Sequence, residues 1–446
     1  MNRLASLVIL LQGFPVLGAE PDNAAERGRI ALTTRSFTPA GWTMKGYENA
    51  WKTWQPRLEE APADYGQAFR DHYGLHRAPY ENGPLPMGLR QTKSLLLSKA
   101  VTNDCMLCHG GSIFGKSIIG LGNASLDIQA FFEDMGKASG TLGKTPFVFS
   151  NARGTIEAGA MAVFLFQYRE PDLSLRFTRL DLGLRDDLCE DTPAWWHLKK
   201  KKTMYYTGTG HARSVRSLMQ FMLTPANSAA YIQSEEATFK DIQAYLLSLE
   251  PPKYPFPVDK DLAARGGKLF AKTCARCHGT YGADWSYPNK IVDIDVIGTD
   301  RTRLDGFSVP FGEHYNKSWF AREKGDDGFK ANPAAGYQAP PLDGIWATAP
   351  YFHNGSVPTL QDVLNSKARP KIFTRSFKTA EEDYDKAKVG WKVRVLENAP
   401  DRAIPPYQRR MIYDTTEPGR GNQGHTFGDD LTDQERRALI EYLKTL

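Results

Sequence analysis

Cysteine is scarce in this chain, with five in 446 residues, too few for a disulfide framework in a protein of this size. Net charge is nearly lacking too. The 56 Lys+Arg against 51 Asp+Glu leave +5, so the charge balance does not select nucleic acid or a membrane surface as partner. Beyond the extreme N-terminus no segment approaches about 18 uninterrupted apolar residues, so no membrane span is expected in the mature chain. What remains is an ordinary globular composition, 41% hydrophobic and 24% charged. It excludes disorder and fibre, and the length suggests two or three domains.

Met1 to Ala19 reads as a secretory signal. Arg3 supplies the positive start, and Leu4 to Leu11 form an apolar run too short to span a bilayer. Gly13, Pro15 and Gly18 would break a core helix there. The expected location is therefore the periplasm or another exported compartment. Residues 20–95 scatter aromatics among charges (Trp42, Tyr47, Trp51, Trp54, Tyr65, Tyr73) and read as an N-terminal extension wrapping the rest, with a helix expected near Tyr47 to Glu60. A first domain then spans 96–250 and contains the amphipathic stretch Thr238 to Leu249. The proline-dense segment 251–257, PPKYPFP, marks a linker, and a second domain spans 258–446. In the closing stretch Leu431, Leu439, Ile440 and Leu443 fall at helical spacing, and Thr432 with Glu435 predicts a capping box.

Four of the five cysteines fall in two short clusters, CMLCH at Cys105 to His109 and CARCH at Cys274 to His278. CxxCH has a physical meaning. Two thiols at i and i+3 reach the two vinyl groups on one porphyrin edge, and the adjacent imidazole turns onto the iron. A zinc ribbon would need two further ligands at tight spacing for each pair, and neither half supplies them. The pattern predicts two covalent c-type haems, held by Cys105, Cys108 and His109 and by Cys274, Cys277 and His278. Cys189 is left over and reads as a small buried hydrophobe. Each cluster is followed downstream by a closing helix, a weak internal repeat suggesting two haem domains of related build. The fold class predicted is mainly α, with two cytochrome c-type haem domains, long ordered loops and the N-terminal wrapping extension.

Function then turns on each iron's sixth position, because a second strong ligand makes a carrier and an open position admits oxygen or peroxide. For the second haem, the loop before the last helix leaves Met411 and His425; His314 and His353 are the other histidines downstream. For the first, the pool is Met135, Met161, His197, Met204, His211, Met219 and Met222, and spacing selects none. Two stretches add context. Pro193 to Arg216 packs Trp195, Trp196, Tyr205, Tyr206, His197, His211 and Arg213 together, with Lys199 to Lys202 expected to be a solvated face. Its aromatics are either core or a relay between two irons. Gly336 to Leu360 is too rich in Pro and Gly for a helix and reads as an ordered loop carrying Trp346, Tyr351, Phe352 and His353 against the second haem.

Within that loop, APPLDGIWATAPYFHNGSVPTL resembles the signature loop of the dihaem cytochrome c peroxidase superfamily, which includes the methylamine-dehydrogenase-maturing dihaem enzymes and the bacterial rubber oxygenases. The stretches CMLCHGGSIFGKSIIGLGNASLDIQ and GHTFGDDLTDQERRALIEYLKTL are most similar to the rubber oxygenase branch. The resemblance covers most of residues 96–446. It implies that His109 is the proximal ligand of an active haem and that His278 and His425 form the axial pair of an electron-transferring one. It also implies a tryptophan between the haems, Trp195 or Trp196, and a distal pocket near Thr209 to Arg213. There the chain departs from an apolar oxygenase pocket by offering His211 and Arg213, which suit O–O bond cleavage through proton transfer and charge stabilisation.

The function expected is an exported dihaem redox enzyme acting on peroxide, dioxygen or a small organic substrate, with a small redox protein or a quinone-linked donor or acceptor as partner. The rival is a dihaem electron-transfer protein with both irons six-coordinate. A haem-based sensor has no output domain to support it. An interdomain calcium ion is a further cofactor to look for.

Overall fold

The structure, a computed structural model, describes residues 22–94, 98–141, 143–325 and 328–446. The signal expected over Met1 to Ala19 and the boundary between residues 95 and 96 lie outside the described residues. Helix accounts for 36% of the described residues and strand for 12%, so helices carry the frame and long loops fill it. No helix among the described residues is long and apolar enough to cross a membrane.

Two helix pairs organise the molecule. In the second unit, Lys260–Thr273 starts at Asp259, whose carboxylate accepts from the amides of Asp261 and Leu262. This helix crosses the closing helix Asp433–Leu443, which begins with the expected capping box between Thr432 and Glu435 and buries Leu439, Ile440 and Leu443. The crossing is made at Gly266, where a Cβ would come within 1.9 Å of the Ala438 carbonyl oxygen, so no larger residue lets the backbones meet.

The first unit repeats this device. Its closing helix, Glu236–Ser248, packs against Ala24–Thr34, and a Cβ on Gly28 would lie 1.9 Å from the Asp241 carbonyl oxygen. The N-terminal extension thus supplies the first unit's opening helix rather than only wrapping it. Arg27 reinforces the crossing with a two-pronged ion pair to Asp241 at 2.8 Å. Downstream, strand Trp42–Thr43 joins Leu89–Lys93 and Lys99–Asn103 in an antiparallel sheet with Lys99–Asn103 at its centre. That central strand delivers the chain to Cys105. The helix expected near Tyr47 to Glu60 is shorter and broken, Met44–Asn49 followed by a 3-10 turn Ala50–Thr53. Pro56 explains the early stop, since it donates no amide and forces the residue before it into extended backbone.

Of lysines 199–202, expected as a solvated face, Lys202 is exposed but Lys200 and Lys201 turn inward. Lys200 is nearly buried, pairs with Asp343 at 2.7 Å and lies over the rings of Tyr281 and Trp285. Lys201 lines an internal cavity, and burial pushes its ammonium down to about 8. Lys200 docks one unit on the other because the opposite surface offers it a carboxylate and aromatic faces. The linker 251–257 has no regular structure, and its Pro252 carbonyl accepts from Trp346 Nε1 at 3.0 Å.

Candidate haem sites

Both CxxCH sequences open onto one cavity of about 860 Å3, at the upper end of ligand-pocket sizes. At the first, Asp104 caps the short helix Met106–His109 by accepting from the Met106 amide at 2.9 Å, and it is held by Arg90 in a buried ion pair at 2.7 Å. Asn123 clamps the other side. Its amide donates to the Cys108 carbonyl at 2.7 Å, and its side chain donates to the carbonyls of Gly74 and Leu107. Cys105 and Cys108 are in no disulfide and both line the cavity. The His109 ring stacks on Trp195, with centroids 4.6 Å apart and planes 22° from parallel. Burial lowers His109 to about 4, so the imidazole is neutral, the form a metal ligand takes.

At the second, the helix Lys260–Thr273 runs straight into Cys274 and the turn Ala275–His278. His278 Nδ1 pairs with the Pro340 carbonyl at 2.9 Å, which leaves Nε2 for the cavity. Across from it stands His425, with ring centroids 6.3 Å apart. Metal–nitrogen bonds of about 2 Å on both sides, plus about 1 Å from each ligating nitrogen to its ring centre, call for about 6 Å between centroids. The pair therefore fits an iron held between two histidines. His425 reaches this position on a left-handed backbone, φ +45°, an uncommon conformation for a non-glycine residue. Arg369 fixes the loop by donating to the carbonyls of Asn422 and Gly424 at 2.7 Å and of His425 at 3.3 Å. Burial, with His278 nearby, holds His425 down at about 4.

The structure distributes the other candidates unevenly. His353 lines the cavity, stacks on Tyr337 at 4.1 Å and buries an Nε2 that has no hydrogen-bond partner among the described residues. Trp195 is on the cavity wall, whereas Trp196 packs into the core of the second unit and donates Nε1 to the Asp343 carbonyl at 2.8 Å. His211 and Arg213 are not on the wall. The His211 ring stacks on Phe329 at 4.0 Å, and the Arg213 guanidinium is spent on the carbonyls of Leu198 and Lys199. Met411 sits apart as well, its sulfur taking a contact from Arg153 at 3.6 Å. Of the methionines, Met161, Met204 and Met222 reach the wall, and His197 does so with Nε2 already bonded to the Asp343 carbonyl at 2.9 Å. Cys189 is fully buried, as a small hydrophobe is.

Sequence reasoning missed a polar cluster on the same wall. Glu190 pairs with Arg303 at 2.8 Å with both side chains about nine-tenths buried, and Asp191 accepts from Tyr206 at 3.2 Å. The pair joins a residue of the first unit to the helix Thr302–Asp305 of the second, a long-range contact with no local spacing signal. No group of three or more His, Cys, Asp or Glu side chains among the described residues is arranged to hold a further metal ion.

Residues 336–374 match a protein-family model described as RoxA-like, cytochrome c-like. They include Pro340, His353 and Arg369, which position His278, line the cavity and hold the His425 loop. The uncharacterized protein y4iM of Sinorhizobium fredii is 30% identical over 298 residues, 57% of this chain and 64% of that protein. The uncharacterized protein y4iJ of the same organism is 29% identical over 262 residues, 44% of this chain and 41% of its own. This chain thus spans less than two thirds of either relative. Hydrazine synthase subunit gamma of Kuenenia stuttgartiensis is 31% identical over 119 residues, 24% of this chain and 33% of that subunit. Among solved structures, a MauG-like protein associated with microbial copper homeostasis aligns over 68% of this chain and 94% of its own at 17% identity and a TM-score of 0.29, too low to carry an argument. The chain has a cytochrome c-like segment, and a cytochrome c-like family implies covalently bound haem iron.

Proposed function

We propose that the chain is an exported dihaem c-type redox enzyme of the peroxidase or oxygenase kind, with two sites of unlike coordination in one cavity. The single observation that carries this reading is the asymmetry of the two CxxCH sites: His278 faces a second imidazole at 6.3 Å, whereas among the described residues no second imidazole is paired with His109, whose one ring contact is the indole stacked on it at 4.6 Å. Bound at these sites, the haems supply activation of peroxide or dioxygen on the His109 side and electron exchange on the His278 side. The protein's own part is positional. His109, His278 and His425 are held neutral by burial, and Pro340 fixes the His278 tautomer. Trp195 packs directly on His109 and lines the cavity onto which both sites open, which supports it over Trp196 as the residue through which electrons pass. His353 offers its unpartnered Nε2 as a polar anchor for a haem carboxylate. His211 and Arg213 have no part in this proposal, because their side chains are committed elsewhere.

The electron-carrier reading is favoured by one observation of its own: Met161, Met204 and Met222 line the cavity, and any of them has the thioether a sixth ligand needs. Turnover separates the two. The enzyme reading expects the holoprotein to oxidise a reduced dye or small redox protein in proportion to added peroxide, or to consume dioxygen with a substrate. A holoprotein that accepts and returns electrons but turns over neither oxidant contradicts it.

A further inference from the structure

We infer that the hydroxyl of Tyr205 is the hydrogen-bond donor for a small acceptor ligand, of the peroxide or dioxygen type, entering the cavity on the His109 side. This rests on the reading that the iron at His109 keeps an open position. Three features hold the side chain in place. Tyr205 follows the strand Thr203–Met204 with a left-handed backbone, φ +67°, which is uncommon for an aromatic residue. Gly210, on the paired strand Gly210–His211, makes room for the ring: a Cβ there would come within 2.6 Å of Tyr205 Cε2. The third feature is Gln220.

The side-chain nitrogen of Gln220 donates to Tyr205 Oη at 2.8 Å and to the Ser217 carbonyl at 2.8 Å. A carbonyl can only accept, so the Ser217 contact fixes the amide with its nitrogen toward both partners and uses both of its N–H groups. Tyr205 therefore receives a hydrogen bond from Gln220, and its own proton has no acceptor among the described residues. A tyrosine that fills a core spends its O–H on a fixed acceptor, and Tyr205 is not in the core. This one lines the cavity with the donor free. Tyr205 keeps 37% of its surface accessible, and desolvation of the rest raises the phenol above its ordinary range, so it stays protonated at neutral pH. A neutral phenol donates a hydrogen bond; it does not supply a phenolate to iron. His278 and His425, 6.3 Å apart, would together hold an iron at the second site, and a ligand entering this cavity would then have only the His109 side to bind.

The test is a fluoride titration of the ferric holoprotein, followed optically, since fluoride on iron accepts hydrogen bonds and needs no turnover. Wild type should bind one fluoride per chain. Tyr205→Phe should weaken binding about tenfold or more, with haem content and the His278/His425 low-spin signature unchanged. Gly210→Ala, which keeps the phenol but displaces its ring, should weaken binding too. If Tyr205→Phe loses haem, Gly210→Ala decides alone. Fluoride affinity within about twofold of wild type in the deciding variant overturns the role of Tyr205 while leaving the open iron intact. Failure of wild type to bind any fluoride overturns the open position, and this inference with it.

Discussion

Replacing His425 by glycine is expected to abolish the low-spin signal of one haem and leave the other haem unchanged. The effect should be complete rather than partial, because no other strong ligand stands where His425 stands. Its imidazole faces His278 across 6.3 Å, and Met411, the other candidate in the loops before the last helix, is turned toward Arg153 instead. Glycine is the preferred replacement because the backbone at 425 has φ +45°, which glycine adopts at no cost and alanine does not. Arg369 should keep holding the loop, since it binds backbone carbonyls rather than the imidazole. Electron paramagnetic resonance of the ferric holoprotein reads the outcome. A low-spin pair that survives His425→Gly and is lost in Met411→Ala would reverse the assignment.

The second large effect is expected from Cys105→Ser combined with Cys108→Ser. The chain should then carry one covalent haem where the wild type carries two, measured as haem retained after acid extraction per mole of chain. The remaining haem should keep the His278/His425 signature, because Cys274 and Cys277 lie on a separate helix pair. Loss of both haems, or of neither, would contradict two independent attachment sites. The first unit should lose more stability than the second, since its apolar walls then surround no cofactor.

The parts of this molecule that were legible in the sequence are those whose physics is local. CxxCH needs its residues within one turn, and Thr432 to Glu435 is one helical turn, so both stood out and both CxxCH sequences open onto the cavity. The opening helix of the first unit was not legible. Ala24–Thr34 has a weak apolar stripe, and its meaning depends on Gly28 meeting Asp241 more than two hundred residues away. Lys200 and Lys201 misled for a related reason: four consecutive lysines look solvated until Asp343, Tyr281 and Trp285 from the other unit are brought against them. His211 and Arg213 had the right chemistry for a distal pocket, but the short hairpin Thr203–Met204 and Gly210–His211 turns them away and turns Tyr205 in. Side-chain type carries the chemistry, and the direction of a two-residue strand decides whether it is used.

The central claim is that one iron is closed by two histidines and the other is open. The measurement that tests it most directly is the electron paramagnetic resonance spectrum of the ferric holoprotein, recorded before and after addition of peroxide. A low-spin signal beside a high-spin one, with only the high-spin signal consumed by peroxide, is the result expected. Two low-spin signals indifferent to peroxide, in both the fully oxidised and half-reduced protein, would contradict the account and make the chain an electron carrier.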